Sequence, residues 1–499
     1  MKTHTDVLIC GAGATGLVLA LDLARRGIPF LLVDKLARPF HGSRGKGLQP
    51  RSLEIFEALG VLDRLAAAGG PYPPLRRHLP DGGHIDLPIG GDFQDSPSTP
   101  TEPYRMPLMV AQATTEAILR ARLLELGHSP RYGHAVVGFD QHGDGVDVRV
   151  EAPDGVRTVR ARYLVGADGG GSFVRRTLDI GFRGRTLGQR ALVADLAVTG
   201  LGRDAWHQFN EASDRLTMLC PLMGTDDLFQ VQAALPPTGD IDLSPAGLEA
   251  LLRERCNGLD LRVIRAPWAS VYEMNARLAE RYRLGRVLLA GDAAHVHPPT
   301  GGQGLNTSVQ DAWNLGWKLA AVLQGAPEAL LDTYEAERRA VASDILEMSS
   351  RLLDNARRGD HGRGRETLQL ELGYREGPLA PASTCPAAVC PGDRAPDARL
   401  QGAAGQARRL FDLLGGPHWT LLAAGDPRPL PATAGIRTHV IGPAGELRDV
   451  HGDFAAAYGL PPGGWALVRP DGYLGPIGTG EQLPGLQDWL AQVLPPPAS

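Results

Sequence analysis

Long apolar runs and long basic runs are both missing from this chain of 499 residues. No apolar stretch approaches the roughly 20 residues that a membrane-spanning helix needs. The opening MKTHTDVLICGAGATG has no basic region, long apolar region or cleavage site of a signal peptide. The formal net charge of −5 offers no electrostatic footprint for nucleic acid. These absences predict a cytoplasmic protein that binds neither nucleic acid nor a membrane.

Cysteines are few and scattered, which argues against a disulfide scaffold. The chain has five of them, an odd number: Cys10, Cys220, Cys256, Cys385 and Cys390. Histidines give no metal signal either, since His295 and His297 have no acidic or cysteine partner at ligand spacing. The sequence therefore predicts neither a disulfide framework nor a metal site.

Length and composition bound the domain organisation. The chain is too long for one ordinary core, and its 43% hydrophobic and 21% charged residues are typical of a globular protein with two or three domains. Strand and helix patterns fill 1–180 and return over 276–375, whereas strand-like segments dominate 181–275. We predict a two-part α/β domain (1–180 and 276–375), an inserted β-rich domain (181–275), a Pro/Gly-rich linker (376–396) and a small α/β domain (397–499).

A dinucleotide-binding fingerprint opens the chain. Residues 6–10 form a short apolar strand, GAGATG turns it into a helix, and IPFLLVD is a second buried strand. Gly11 and Gly16 allow the tight turn and close packing, and a side chain at Gly13 would collide with a pyrophosphate bound at the helix N-terminus. Asp34 ends the second strand, where it can accept hydrogen bonds from ribose hydroxyls. This context favours a dinucleotide but does not separate FAD from NAD.

Two later segments favour FAD. YLVGADGGGSFVR places Asp168-Gly169 and Arg175 after a buried strand, and RVLLAGDAAHVHPPTGGQGLN places Gly291-Asp292 before a Pro/Gly turn and a helix. Alone, an Asp-Gly is usually a hairpin turn and a Gly-Asp is often a helix cap. In this order, after a dinucleotide fingerprint, the pair is much more specific.

These segments resemble those of the p-hydroxybenzoate hydroxylase-like FAD monooxygenases, in particular the branch that acts on phenols and aromatic polyketides. The resemblance covers nearly the whole chain and rests also on SRGKGLQPRSLEIF, VAQATTEAIL and SVQDAWNLGWKLA. FDLLG, WTLL and VRPDGY resemble the thioredoxin-like domain of that branch, without the C-x-x-C needed for thiol chemistry. The implied fold is α/β (α+β mixed): a Rossmann-like FAD-binding domain, an inserted β-sheet substrate domain and a C-terminal thioredoxin-like domain.

By resemblance, three groups of residues serve the nucleotide, and FAD is bound without a covalent link. Asp34 and Lys35 would face the adenosine. Asp168-Gly169 would serve the junction of the FAD-binding sheet and the pyridine nucleotide, and Asp292 would hold the ribityl chain or the pyrophosphate.

The flavin half is assigned by the same resemblance. Arg44 and Gln112 would contact the flavin nucleotide, and residues 298–306 would run beside the isoalloxazine ring, where N–H groups at a helix start can stabilise negative charge. Arg44, Pro298 and Gly301 are the candidates for a catalytic role. The full predicted cofactor set is Gly11, Gly13, Ala14, Thr15, Gly16, Asp34, Lys35, Arg44, Gln112, Asp168, Gly169, Gly291, Asp292, Pro298, Gly301, Gly304, Leu305 and Asn306.

The resemblance also implies the reaction. NADPH or NADH would reduce the flavin, O2 would add to give a flavin C4a-hydroperoxide, and an electron-rich aromatic ring would attack its distal oxygen. The protein would exclude water and hold the target carbon near the peroxide. Phenol hydroxylase relatives have an aspartate where this chain has Lys46, so their base does not carry over and the catalytic base stays open.

Candidates for the substrate wall come from the middle domain: Trp206, His207, Met218, Gln230, Trp268 and Tyr272. A residue of these types is more often the core or rim of a sheet. Arg277 resembles a recurring arginine near the flavin entrance. A multi-ring polyketide and a small phenolic acid both remain open as substrates, and the C-terminal resemblance favours the larger one.

Other outcomes on this scaffold remain open: a Baeyer–Villiger-type or antibiotic-inactivating monooxygenase, a dehydrogenase, a halogenase, or a protein that only binds an aromatic ligand. The chain has no Trp-x-Trp-x-Ile-Pro segment of the halogenase kind. It has one dinucleotide fingerprint, which agrees with transient binding of the nicotinamide in a groove. Cys385 and Cys390 have the C-x4-C spacing of flavin disulfide reductases, but they lie far from the first βαβ unit. The expected state is a monomer or homodimer.

Overall fold

The structure is a computed structural model, and it describes residues 3–88, 97–211, 214–358, 362–425, 435–443 and 445–495. The strands in chain order are β1 (His4–Cys10), β2 (Phe30–Asp34), β3 (Gly47–Leu48), β4 (Leu75–His78), β5 (His84–Leu87), β6 (Leu108–Met109), β7 (Arg131–Tyr132), β8 (Ala135–Gln141), β9 (Val146–Ala152), β10 (Gly155–Gly166), β11 (Phe182–Thr199), β12 (Trp206–Phe209), β13 (Thr217–Pro221), β14 (Leu228–Leu235), β15 (Arg262–Ala279), β16 (Arg283–Leu284), β17 (Val287–Leu289), β18 (His295–Val296), β19 (Arg399–Gly402), β20 (Ala407–Arg409), β21 (Trp419–Ala424), β22 (Ile436–Ile441), β23 (Leu447–Arg448), β24 (Gly464–Val468) and β25 (Leu474–Thr479). The α-helices are α1 (Ala14–Arg25), α2 (Pro50–Ala58), α3 (Leu62–Ala68), α4 (Gln112–Glu125), α5 (Phe173–Thr177), α6 (Pro245–Arg255), α7 (Gly304–Leu323), α8 (Asp332–Arg357), α9 (Phe411–Leu414), α10 (Asp453–Tyr458) and α11 (Leu483–Leu490). None of these helices is long and apolar enough to cross a membrane.

The first sheet brings the sequence motifs to one edge. Its strand order is β16-β17-β10-β1-β2-β7, and β1 pairs in parallel with both β10 and β2. β17 is parallel to β10, and β8 and β9 extend the sheet as an antiparallel meander on β10. Because parallel strands end at the same edge, the turns that follow β1, β2, β10 and β17 meet there. The strands and helices expected from the opening βαβ pattern are all present.

The second sheet contains the strands expected over 181–275, and others as well. Its order is β18-β15-β11-β14-β13-β12-β4-β5, and α6 packs on one face with an apolar core of its own. β4 and β5 lie at 75–87, within the range that sequence assigns to the first domain, and β18 lies after residue 275. The middle sheet is therefore built from three separate chain segments, and the predicted range of 181–275 covers most of the central one but not the other two.

The C-terminal unit is a mixed sheet of order β20-β19-β23-β22-β21-β24-β25. β21, β22 and β23 run parallel, whereas β24 and β25 pair antiparallel, and the sheet has its own buried apolar core. Its assignment as thioredoxin-like stays a prediction.

A hairpin of the C-terminal unit is inserted against α7 and α8. The Asp471 carboxylate accepts hydrogen bonds from Trp317 Nε1 (2.9 Å) and Arg469 (2.6 Å), and its backbone oxygen accepts one from Trp313 Nε1 (3.1 Å). Arg469 also pairs with Glu337 of α8, and all these side chains are buried. The terminal unit is thus tied to the helix that begins at the predicted flavin position.

Candidate active site

The turn after β1 leaves space at one of its three glycines. Gly11 has φ +110°, and a Cβ on it would overlap the backbone of Ala167, while a Cβ on Gly16 would overlap the oxygen of Gly11. A Cβ on Gly13 would meet only Glu116 Oε1, at 3.8 Å. Gly13 is also the N-cap of α1 and has no side chain to cap the helix. The first turn of α1 is therefore open to an anion on the Gly13 side.

Asp34 ends β2 and Asp168 follows β10, the two strands on either side of β1. The Asp34 carboxylate accepts hydrogen bonds from the backbone N–H groups of Ala12 and Leu36, both at 2.8 Å, while Lys35 is exposed. Asp168 Oδ2 accepts from the N–H groups of Phe173 (2.7 Å) and Val174 (3.1 Å), so it caps α5. Asp168 Oδ1 is buried and has no partner among the described residues. That oxygen, and the half-buried side of Asp34, remain for ligand hydroxyls.

Arg44 lies on a loop, here called the cofactor loop (residues 38–48), that Gln112 fastens to α4. Gln112 Oε1 accepts a hydrogen bond from the Gly45 N–H at 3.1 Å, and the Gln112 N–H donates to the Gly45 oxygen at 3.0 Å. Arg44 is exposed, with its guanidinium 5.2 Å from the Phe40 ring centroid. The arginine is therefore exposed at this edge of the first sheet rather than packed into the protein; we call the space that the turns after β1, β2, β10 and β17 border the cleft.

The turn after β17 is held from below by Asp311 of α7. Asp311 Oδ2 accepts from the Gly291 N–H (3.0 Å) and contacts His295 Nε2 (2.6 Å), and Oδ1 accepts from Arg338 Nε (2.7 Å). Burial raises the pKa of Asp311, but His295 and Arg338 outweigh it and hold the pKa below its usual value. Gly291 has φ +64°, and a Cβ there would meet Thr15 Oγ1 at 2.5 Å. The turn thus lies directly against the start of α1.

Asp292, by contrast, points its carboxylate into the open cleft. The side chain is exposed, yet surrounding protein raises its pKa, while the positive charges of His295 and Arg44 act in the opposite direction. Arg44 is therefore close enough to Asp292 to act on its charge.

The segment before α7 is fixed by Asn306 and Gln49. Asn306 Oδ1 accepts from the Gln49 N–H (2.8 Å), and its amide donates to the oxygens of Gly47 (2.9 Å) and Gly302 (2.8 Å). Gly301 has φ +81°, and its oxygen accepts from Gln49 Nε2 at 3.1 Å. A Cβ on Gly304 would meet nothing within 4 Å. The start of α7 is therefore another open helix N-terminus.

The open groups at this edge of the first sheet match the chemical groups of FAD. Two helix N-termini, at Gly13 and Gly304, are open on the side where a ligand would approach, and a buried carboxylate oxygen of Asp168 lacks a partner. Arg44 and Asp292 are both exposed. An extended dinucleotide with a diphosphate and hydroxyls satisfies this set of donors and acceptors. The residues fit FAD.

One face of the middle sheet carries five of the six substrate-wall candidates. Cross-strand partners share a face: Asp195 is opposite Gln230 and Trp268, Met218 is opposite Gln232, and Tyr272 is opposite Ala191. We call this the substrate face; it comprises Trp206, Met218, Gln230, Trp268 and Tyr272. It contacts the cofactor loop, because Gln230 Nε2 donates to the Ser43 oxygen and Trp268 packs on Phe40.

His207 is the exception. It is opposite Leu219, which belongs to the core under α6, and it bonds to His78 (2.9 Å) and the Gly202 oxygen (2.8 Å). The structure therefore places its side chain on the far face, because neighbouring residues of a strand alternate. Arg277 lies at the end of β15, where it donates to Asn275 (3.2 Å) and Thr186 (3.1 Å).

Comparison with known proteins decides the family. Residues 4–349 match the family described as FAD binding domain, and residues 388–497 match the family described as aromatic-ring hydroxylase, C-terminal. The chain belongs to the FAD-dependent aromatic hydroxylases.

Several relatives in this family align with this chain over nearly their whole length. A flavin-dependent monooxygenase of Mycobacteroides abscessus is 40% identical, over 94% of this chain and 96% of the relative. A 12-dehydrotetracycline 5-monooxygenase/anhydrotetracycline 6-monooxygenase of Streptomyces rimosus is 35% identical over 99% of both chains. The structure of aklavinone-11 hydroxylase with FAD and aklavinone has a TM-score of 0.83 and 30% identity, over 99% of this chain and 100% of that one.

Membership in the FAD-dependent aromatic hydroxylases confirms three predictions: the mixed α/β fold, the FAD cofactor with NAD(P)H as co-substrate, and the monooxygenase class. The role of each residue stays a prediction that the geometry supports. Within the described ranges, no cluster of three or more His, Cys, Asp or Glu side chains could hold a metal ion. Cys385 and Cys390 are both free thiols.

Three buried residues of this hydroxylase are missed by the sequence reasoning. Asp311 supports the Gly291 turn, Asp195 lies on the same sheet face as Gln230, and Glu116 lies beside Gly13. Burial raises the pKa of Glu116, against the effects of its bond from Gln112 (2.9 Å) and of Arg120. Each of the three could have been found in the sequence as an acidic residue within an otherwise apolar helix or strand. A buried acidic side chain of this kind needs a ligand or a protein partner to stabilise it.

Proposed function

We propose that this aromatic hydroxylase inserts one oxygen atom into a multi-ring, polyketide-type aromatic substrate, with NADPH or NADH as the reductant. The observation that carries the proposal is the substrate face, whose aromatic and amide side chains lie against the cofactor loop. Apolar walls with a few placed polar groups are typical of sites for planar ligands. The relatives named for 12-dehydrotetracycline, anhydrotetracycline and aklavinone support a substrate with several rings.

In this mechanism the bound FAD supplies the redox chemistry, accepting electrons from NAD(P)H and delivering one oxygen atom of O2. The chain supplies position and electrostatics. The backbone from Pro298 to Gly304 would hold the flavin ring, and the open start of α7 would stabilise negative charge on it. Arg44 and Asp292 would hold the nucleotide, and the substrate face would exclude water and orient the target carbon.

A substrate panel tests this proposal. The FAD-loaded protein is mixed with multi-ring phenols, small phenolic acids and cyclic ketones, and oxidation of NADPH and NADH is followed together with product masses. We expect multi-ring phenols to accelerate oxidation and to gain one oxygen with their rings intact. A lactone product would assign a Baeyer–Villiger reaction instead, and turnover restricted to small phenolic acids would contradict the proposed substrate class.

The cytoplasmic location and the monomeric or homodimeric state belong to the same proposal. Light scattering after size exclusion measures the oligomeric state, and fractionation of cells that produce the protein measures its location.

A further inference from the structure

Lys46 lies where the cofactor loop meets the substrate face. Its Nζ donates a hydrogen bond to Gln230 Oε1 at 2.5 Å and lies 4.3 Å from the centroid of the Trp206 ring. Only 7% of the residue is exposed. The ammonium is therefore almost completely removed from bulk water at the end of the proposed substrate pocket.

The surroundings of Lys46 leave part of its hydrogen-bonding capacity unused. An ammonium has three N–H donors, and the described residues offer it one hydrogen-bond acceptor, Gln230, and one aromatic face, Trp206. Burial lowers the pKa of Lys46, and Arg363 acts in the same direction, whereas Asp195 and Cys220 act against it. Asp195 is thus close enough to affect Lys46, yet within the described part of the chain the two form no ion pair.

Asp195 is the second buried polar group without full pairing. It is 3% exposed, and its Oδ1 has no hydrogen-bond partner among the described residues. The Arg363 guanidinium lies 5.9 Å from the centroid of the Trp206 ring, which Lys46 also contacts. This end of the pocket therefore holds two cations, Lys46 and Arg363, and one carboxyl group, that of Asp195. Unpaired buried charges destabilise a fold, and they cluster where a ligand completes them.

We propose that Lys46 is a specificity-determining residue of the substrate pocket, and that its ammonium binds an ionised oxygen, a phenolate or enolate, of the aromatic substrate. This inference rests on the proposed function and adds the charge of the group that the pocket selects. A charge-assisted hydrogen bond from a desolvated ammonium is short and strong. A neutral ring oxygen gains much less from the same donor, so the pocket discriminates by ionisation.

Two dyes of nearly equal shape test the inference on the FAD-loaded protein. 1,2-Dihydroxyanthraquinone changes colour when its 2-hydroxyl ionises, whereas 1-hydroxy-2-methoxyanthraquinone cannot ionise at that oxygen. Difference absorbance spectra give the Kd of each dye and the ionisation state of the bound one. In the wild type we expect the bound dihydroxy dye to ionise about one pH unit below its pKa in solution.

Lys46→Met keeps the length of the side chain and removes its charge. We expect this variant to bind the dihydroxy dye about tenfold more weakly and to lose the pKa shift, with a change below about threefold for the methoxy dye. Lys46→Arg keeps the charge and should retain the shift. FAD content and Tm show whether each variant is folded, and Lys46→Gln replaces Lys46→Met if that protein loses FAD.

The inference is overturned if Lys46→Met binds and ionises the dihydroxy dye as the wild type does, if Lys46→Arg behaves like Lys46→Met, or if the wild type binds neither dye. Failure of the proposed function is separate and is read from NADPH oxidation and product mass. A wild type that hydroxylates a non-ionisable multi-ring ether as fast as the free phenol would sink this inference and leave the hydroxylase function standing.

Discussion

Asp311 holds the cofactor turn by accepting a hydrogen bond of 3.0 Å from the Gly291 N–H. The same carboxylate pairs with His295 and with Arg338 of α8, and all three side chains are fully buried. Arg338 Nη1 also donates a hydrogen bond of 3.0 Å to the Tyr374 hydroxyl, and the Tyr374 ring packs on Tyr473 of the C-terminal unit. One carboxylate therefore connects the edge of the first sheet to two helices and, through them, to the terminal unit.

Asp311→Asn should cost FAD affinity as well as stability. The substitution leaves Arg338 buried without its counter-charge, and breaking one side of a buried pair costs about 3–5 kcal/mol. We expect at least a tenfold rise in the FAD Kd, measured by flavin fluorescence, beside a lower Tm. Asp332→Asn is the matched control, because Asp332 is 72% exposed in its pair with Arg283 and such pairs contribute about 1 kcal/mol or less. Equal effects of the two variants would contradict the role of Asp311.

Gly13→Ala and Gly16→Ala should separate cofactor binding from folding. A Cβ at Gly13 meets only Glu116 at 3.8 Å, whereas one at Gly16 overlaps the Gly11 oxygen. We expect the FAD-free Gly13→Ala protein to unfold within about 1 kcal/mol of the FAD-free wild type but to bind FAD at least tenfold more weakly. Gly16→Ala should lower the stability of the FAD-free protein itself. Denaturant unfolding and FAD titration measure both; normal FAD binding by Gly13→Ala would contradict the placement of the diphosphate.

Asp292→Ala should weaken FAD retention with little effect on the protein core, because the carboxylate projects into the cleft. Arg44→Ala should impair flavin positioning, seen as slower reduction by NADPH in stopped-flow absorbance. Surface substitutions of this kind usually change stability by about 0.5 kcal/mol or less. Unchanged flavin occupancy in the first variant, or unchanged reduction kinetics in the second, would refute the respective assignment.

Asp195 should make stability depend on pH. Burial raises its pKa to about 6, against about 3.9 in an unfolded chain. Between about pH 4 and pH 6 the native state therefore binds more protons than the unfolded state, and stability falls as pH rises through that window, by on the order of 2–3 kcal/mol. Asp195→Asn cannot ionise and should exceed the wild type in stability above pH 6, with no difference below pH 4. Denaturant unfolding across that range checks this; a parallel pH profile for both proteins would contradict it.

Asp471→Ala should loosen the C-terminal unit. The substitution removes the acceptor of Trp317 Nε1 and one counter-charge of Arg469, both buried, at a cost of about 3–5 kcal/mol. Protease should then cut near the 376–396 linker sooner than in the wild type. Glu446→Ala is the control within the same unit, since Glu446 is 55% exposed in its pair with His439 and should contribute about 1 kcal/mol or less. A stable, protease-resistant Asp471→Ala protein would show that the hairpin is not the anchor.

The sequence alone determined the strands, turns and helices of the first sheet where we place the cofactor. Gly11, Gly13 and Gly16 are read from local spacing because a strand, a tight turn and a helix follow one another without interruption. Asp34 and Gly291-Asp292 follow from the same local logic, since each comes directly after a buried strand and parallel strands end at one edge. The lengths of α1 and α7 are likewise set by local apolar periodicity and by the glycines that end or begin them.

Tertiary structure decided what depends on register and on contacts between distant segments. Trp206 and His207 are neighbours in sequence, and only the pairing of β12 with β13 decides that the first reaches the substrate face and the second does not. In the sequence, Asp311 and Asp195 are acidic residues within apolar elements and have no evident partner. The structure places the Gly291 turn against Asp311, and it places Lys46 close enough to Asp195 to lower its pKa. Likewise β4 and β5 join the middle sheet from another part of the chain. Local spacing fixes backbone conformation, whereas the partner of a buried polar side chain is fixed only when distant elements pack together.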